Sequence, residues 1–295
     1  MNPITRRSFI MKSAAAVAGA SVLAPGFLRA FPILPVGRQV NIGIAKDAIG
    51  FQSWIVRESI EKDFPGTLKR MAAMGYNSIE MCSPPGYAKM GFGGLEKYKA
   101  SELKKIISDE GFKCVSCHYG MKELKEHGQE RIDYAKEWGL QQMIISSFGL
   151  PKTATLADWK TAADESNKIG ELSKKSGIQL GFHNHHGEFQ KLEGELIYDV
   201  LLKQLDPSLV KMQFQVAVIN IGYKAADYFR QYPGRFISAH LYDWSGNGEE
   251  MVALGKGKVD WKEFFAAAKA GGVKNYFVEM KDGLEESAKF LKSTV

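Results

Sequence analysis

The stretch Lys174-Lys175-Ser176-Gly177-Ile178-Gln179-Leu180-Gly181-Phe182-His183 decides the fold. Its first half ends an amphipathic helix on a glycine, where a left-handed turn is needed, and its second half is a short strand. Alternation sends Ile178, Leu180 and Phe182 toward covering helices and Gln179, Gly181 and His183 inward. The same order of helix, glycine and apolar run recurs along the chain. Residues 76–81 follow Gly75, 112–117 follow Gly111, 140–146 follow Gly139, 235–241 follow Gly234 and 273–279 follow Gly272. These glycines stand 28 to 38 residues apart, save for 57 between Gly177 and Gly234, a gap in which Asp206-Pro207-Ser208 precedes one further run at 209–216. With residues 48–54 in front, eight strands alternate with helices over roughly 250 residues, which predicts a single (β/α)8 barrel occupying residues 40–295. A doubly wound open sheet is the alternative. No G-x-G-x-x-G follows the first strand, and the even unit lengths speak against it.

Composition narrows the partners. Of the 295 residues 45% are hydrophobic and 24% charged, enough to bury a large core. The formal charge is +6, but Arg6, Arg7, Lys12 and Arg29 stand in an acid-free first thirty residues, leaving about +2 for the rest. A nucleic-acid partner is therefore not expected. The order Thr5-Arg6-Arg7-Ser8-Phe9-Ile10-Met11-Lys12, an Ala-rich uncharged run and then Pro and small residues reads as a cleavable signal over residues 1–30. Its paired arginines resemble the twin-arginine export signal, which implies a periplasmic protein without stable membrane insertion. An ordinary secretory signal or a retained anchor are the other readings. Three cysteines cannot form a disulfide framework, and Cys114 and Cys117 fall three apart on a strand, facing opposite ways, as two buried structural thiols. Nothing in the composition decides between a monomer and a homo-oligomer.

In such a barrel the chemistry gathers where the strands end. Glu80 ends strand two, His118 strand three, His183-Asn184-His185 strand five, His240 strand seven and Glu279 strand eight, while Gln213 and Gln215 lie on strand six. Parity turns Cys114, Ser116 and His118 inward together on strand three, Phe236, Ser238 and His240 on strand seven, and Phe277 and Glu279 on strand eight. Imidazoles and carboxylates converging on one mouth suit a divalent Mn, Co, Zn or Fe ion with positions left for substrate oxygens.

Several of these residues belong to longer stretches that resemble a known family. Residues 50–57 (GFQSWIVR), 63–68, Met74-Gly75-Tyr76-Asn77-Ser78-Ile79-Glu80, Gly181-Phe182-His183-Asn184-His185, Tyr232-Pro233-Gly234-Arg235, residues 255–261 (GKGKVDW) and Phe277-Val278-Glu279 are similar to the xylose isomerase-like sugar phosphate isomerase/epimerase family. The resemblance covers roughly residues 45–290. It implies a metal held by side chains on strands five to eight, which fall here on His183, Gln215, His240 and Glu279. His183 matches the branch that carries H-N-H, and Gln215 stands where relatives carry aspartate, so the ligand set departs from the family's at strand six. A neutral amide holds a divalent ion less firmly than a carboxylate. In the related apurinic-endonuclease branch a zinc-binding His stands where this chain has Ser146-Ser147-Phe148, and strand six lacks that branch's Asp-x-x-His.

The expected reaction is removal of a proton next to a carbonyl, with a divalent ion steadying the resulting enediolate and Glu80, His118 and His185 as the proton carriers. Isomerisation, epimerisation and elimination all start from that step. Export and the lack of a phosphate-binding loop point to a non-phosphorylated sugar or keto-sugar, with a 3-keto-glycoside lyase or dehydratase as one alternative and a non-catalytic carbohydrate-binding barrel as another. Tyr242 and Trp244 are the expected stacking partners for the sugar ring, and residues 83–94 the expected lid.

Overall fold

Each predicted apolar run is a strand in the computed structural model, which describes residues 49–248 and 250–294. The strands β1 (Gly50–Gln52), β2 (Ser78–Cys82), β3 (Lys113–Gly120), β4 (Gln142–Ser147), β5 (Gln179–His183), β6 (Val210–Gln215), β7 (Phe236–Leu241) and β8 (Asn275–Val278) pair in parallel in that order. The ring closes where Gly50 pairs with Phe277 and Phe51 with Val278. It is a (β/α)8 barrel, with a helix on the outside after each strand. The export signal expected over residues 1–30 and the Ala48 start of the first run lie outside the described residues. Among the described residues no helix is long and apolar enough to cross a membrane.

Helix ends follow the glycine pattern. Gly75, for example, takes φ 105° after the helix Phe64–Met74 and donates its N–H to Ala72 O and Met71 O, a conformation a side chain would oppose. The outward faces of the strands carry the apolar core. Phe214 meets Phe229 of the helix Ala225–Gln231 with ring centroids 5.8 Å apart, and Tyr276 packs 5.6 Å from Phe265 of the helix Trp261–Gly271. Burial of each such ring is worth about 1.5–3 kcal/mol.

The ladder slips at three places, and two of the slips overturn the expected parity. Phe236 pairs with Met212, the next rung joins Gln213 to Ser238, and the extra residue Ile237 forms a bulge. Phe236 is therefore not inward with Ser238 and His240; it packs 5.1 Å from Phe229 on the outside. A second slip between β2 and β3 pairs Ile79 with Cys114 but Glu80 with Ser116, so Cys114 does not share a face with Ser116 and His118. Cys82, Cys114 and Cys117 are all free thiols, with Cys114 only part-buried.

Beyond β7 the chain is fastened by one carboxylate. Asp243 is fully buried; Oδ1 accepts from the N–H groups of Trp244 (2.9 Å) and Val259 (3.2 Å), and Oδ2 from those of Gly255 (2.9 Å) and Gly257 (3.1 Å) and from Trp261 Nε1 (2.9 Å). Residues 255–261 are thereby wound around one side chain. A Cβ at Gly257 would collide with Asp243 Oδ1 and the Trp244 carbonyl, so glycine is required there for close approach.

Candidate active site

From its centre to its C-terminal mouth the inward face of the barrel carries a polar cluster, with Ile144 and Phe277 beside it. At the centre lies Glu80, fully buried. Its Oε1 accepts from Ser116 Oγ (2.6 Å) and Gln213 Nε2 (2.8 Å). Its Oε2 accepts from Gln52 Nε2 (3.0 Å) and faces His240 Nε2 at 2.5 Å and His118 Nε2 at 3.1 Å. Burial opposes the charge, but His118 and His240 more than offset it and hold the carboxyl well below its usual range. Every oxygen of Glu80 is committed to the barrel's own side chains.

Above it stand three imidazoles. His118, His183 and His240 each offer a ring nitrogen within 4.8 Å of the others, and all three are buried. The His118 and His240 rings are nearly parallel at 5.1 Å, and His183 lies 4.5 Å from His240. His183 Nδ1 is buried without a hydrogen-bond partner, and burial followed by the neighbouring histidines keeps this imidazole neutral. His240 is the opposite case. Burial again disfavours charge, but Glu279 at 3.0 Å from Nδ1 and Glu80 at Nε2 push its pKa up to about 10.

The H-N-H run explains itself locally. His183 ends β5 facing inward, Asn184 Oδ1 accepts the Gln215 N–H (3.1 Å) and ties β5 to β6, and His185 N–H is capped by Glu188 Oε2 (2.7 Å). That places His185 at the rim, its ring 4.7 Å from His183. Gln215 is oriented too. Its Oε1 accepts from Ala217 N–H (3.2 Å) and its Nε2 donates to Glu279 Oε2, so the amide presents hydrogen to the carboxylate.

A cavity of about 250 Å³ opens over these groups, with His118, His183, His185 and Glu279 at one side. Trp54 and Tyr87 form an aromatic wall, edge to face at 6.0 Å, and Tyr87 OH donates to Ser146 Oγ (2.5 Å), another lining residue. No lysine or arginine lines the cavity among the described residues; Arg57 lies 4.3 Å over the Trp54 ring, its Nη1 bonded to the Trp54 carbonyl. Cys82 also borders the cavity, but burial keeps its thiol protonated.

The barrel thus brings together Glu80, His118, His183, His185, Gln215, His240 and Glu279. It does not bring Tyr242 or Trp244 to the cavity: Tyr242 is buried in the core, and the Trp244 indole N–H bonds Gly248 O (2.8 Å) on a short ribbon beyond β7. Sequence reasoning passed over Trp54, Tyr87 and Gln52. The first and last stand at the end of β1, where the rule applied to the other strands would have found them; Tyr87 lies within the expected lid, held from behind by the buried Phe92 at 6.1 Å.

As a test of fit for a divalent ion, the orphaned His183 Nδ1 beside two more imidazoles and a carboxylate is a donor set such ions take.

Among known proteins, an inosose dehydratase from Clostridium perfringens is 32% identical over 193 residues, 57% of this chain and 64% of its own length. This chain thus spans less than two thirds of that relative. A sugar phosphate isomerase/epimerase structure from Parabacteroides distasonis superposes with TM-score 0.71 at 24% identity, covering 88% of this chain and 98% of that one. The structure of an IOLI protein with a zinc atom superposes with TM-score 0.61 at 13% identity, over 84% of this chain and 96% of that one. Residues 68–294 match the xylose isomerase-like TIM barrel family, and the chain belongs to it.

Proposed function

We propose that this chain is an enzyme that removes a proton next to the carbonyl of an uncharged, non-phosphorylated keto-sugar ring. The observation that carries the reading is the cavity. It is of single-ring size, walled by Trp54 and Tyr87, free of lining cations, and floored by imidazoles and Glu279. A phosphate would find no lysine or arginine there. The export signal read in residues 5–12 fits the same substrate class.

His118, His183 and His240 would hold a divalent ion with Glu279 beside them, and Gln215 keeps the Glu279 carboxylate in place through its N–H. Such an ion would polarise the substrate carbonyl and lower the barrier to losing the neighbouring proton. His185 is the proton carrier. It borders the cavity, and desolvation holds its pKa down against the pull of Glu279, so the ring is neutral and able to accept a proton at neutral pH. Ser146 and Tyr87 orient ring hydroxyls. The dehydratase relatives support elimination of a neighbouring group as the outcome, with reprotonation, and hence epimerisation or isomerisation, as the alternative from the same first step.

The test is proton exchange. The chain is loaded with Zn or Mn and incubated in D2O with 3-keto-glycosides and free ketoses, and products are read by NMR. Deuterium next to the carbonyl, or an unsaturated product, is expected; Glu279→Gln should lose both bound metal and exchange while keeping its circular dichroism. A barrel that neither binds metal nor exchanges any of these protons would defeat the proposal and favour a sugar-binding role.

A further inference from the structure

Glu80 lies beneath the cavity with no free oxygen, which is a poor place from which to pass protons to a substrate and a good one from which to orient histidines. Gln213 lies between Glu80 and His118. Its Nε2 lies 2.8 Å from Glu80 Oε1 and 2.9 Å from Ser238 Oγ, so the carboxylate fixes which end of the amide is nitrogen. The other end, Oε1, then faces His118 Nε2 at 2.7 Å. An amide oxygen and a carboxylate oxygen are both acceptors, and His118 Nε2 meets one of each. That nitrogen must carry the proton. His240 Nε2, 2.5 Å from Glu80 Oε2, carries a proton for the same reason, and its Nδ1 faces a second carboxylate oxygen, Glu279 Oε2, at 3.0 Å.

We infer that Glu80 is a positioning residue which, with Gln213, holds a proton on Nε2 of both His118 and His240, so that Nδ1 is the nitrogen left for a metal, directly on His118 and on His240 once its bond to Glu279 is given up. This deepens the metal-assisted reading above and rests on it for its purpose, though not for its geometry. Gln52 completes the arrangement: its Oε1 accepts from Ser53 Oγ (3.0 Å) and Trp54 N–H (2.9 Å), which turns its own N–H group onto Glu80. One buried carboxylate thereby aligns two imidazoles from β3 and β7 and shares a bonding partner with the cavity's aromatic wall. Buried carboxylates behind metal-binding histidines set ring orientation and tautomer in this way, and losing one weakens metal binding 10- to 100-fold.

The experiment is long-range ¹⁵N–¹H NMR of the histidine side chains in the metal-free full chain, assigned through His118→Gln and His240→Gln. Protonated Nε2 is expected on both rings. Glu80→Gln should populate the Nδ1–H form of His118 and lower zinc affinity about 10- to 100-fold. Gln213→Met, which keeps Glu80, should disturb His118 while His240 retains its Nε2–H, and it decides the matter if Glu80→Gln fails to fold. An unprotonated His118 Nε2 in the unaltered chain, or tautomers unmoved by either substitution, overturns the inference. Tautomers that shift as expected in a chain that binds no zinc leave Glu80's role standing and bring down the metal reading instead.

Discussion

Glu80 and Asp243 are both fully buried carboxylates, and each faces five donors, yet the donors differ in kind. Asp243 is held by four backbone N–H groups and one indole, all within 18 residues of it in the chain. None of these donors titrates or rotates away, so Asp243 can only fasten the loop to the barrel top. Glu80 is held wholly by side chains, from β1, β3, β6 and β7, and two of its donors are imidazoles, of which His118 lines the cavity and His240 bonds Glu279, which does. Burial and the number of bonds are therefore poor guides to role. Whether the partners can change state is the better one.

Asp243→Ala should have the largest effect. It strands four amide hydrogens and an indole in the interior and should cost on the order of 4 kcal/mol, measured by urea denaturation. A loss below about 1 kcal/mol would mean that water reaches these groups and that Asp243 fastens nothing.

How far the site could be read from sequence follows from the same physics. Barrel topology was legible because helix-ending glycines and apolar runs repeat, and because positions at strand ends are forced to one mouth: His118, His183, His240, Glu80 and Glu279 needed no long-range information. Alternation failed where the ladder slips, at Ile237 and between Cys114 and Ser116, since a bulge leaves no mark in composition. Aromatic residues misled for another reason. Tyr242 and Trp244 follow β7 in the right place, but Asp243 between them winds the chain into the core. Tyr87 reaches the cavity through a long loop whose path depends on packing, whereas Trp54, just past β1, was open to the strand-end rule.

A second effect, a pH dependence, arises at the barrel centre. In the metal-free chain the pKa of His240 is raised from its ordinary 6.5 to about 10, against the cost of burial, by Glu279 and Glu80. A raised value means the contribution to stability is complete below about 6.5 and is lost as pH climbs toward 10. The carboxyl of Glu80 is depressed despite its burial, so its contribution is present above 4.5 and lost as pH falls well below that. Denaturation midpoints should therefore decline from pH 6.5 to 10, and His240→Gln should flatten that limb. A decline that survives the substitution would place its origin elsewhere.

The smallest change is the most discriminating. Ser116→Ala removes one hydroxyl donor, 2.6 Å from Glu80 Oε1, and leaves Gln213 on the same oxygen. About 1.5 kcal/mol of stability should go, the worth of one hydrogen bond to a charged group. Trp261→Phe is its counterpart, withdrawing the indole N–H at 2.9 Å from Asp243 Oδ2 at a similar cost plus some packing. Equal damage to the fold should then have unequal reach. A loosened Glu80 holds His118 and His240 less firmly, so zinc affinity should fall a few-fold in Ser116→Ala, whereas Trp261→Phe should leave it where it was. If calorimetric titration found both variants weakened alike, the barrel centre and the clamp above β7 would have to be one mechanical unit, and donor chemistry would not distinguish a working carboxylate from a fastening one.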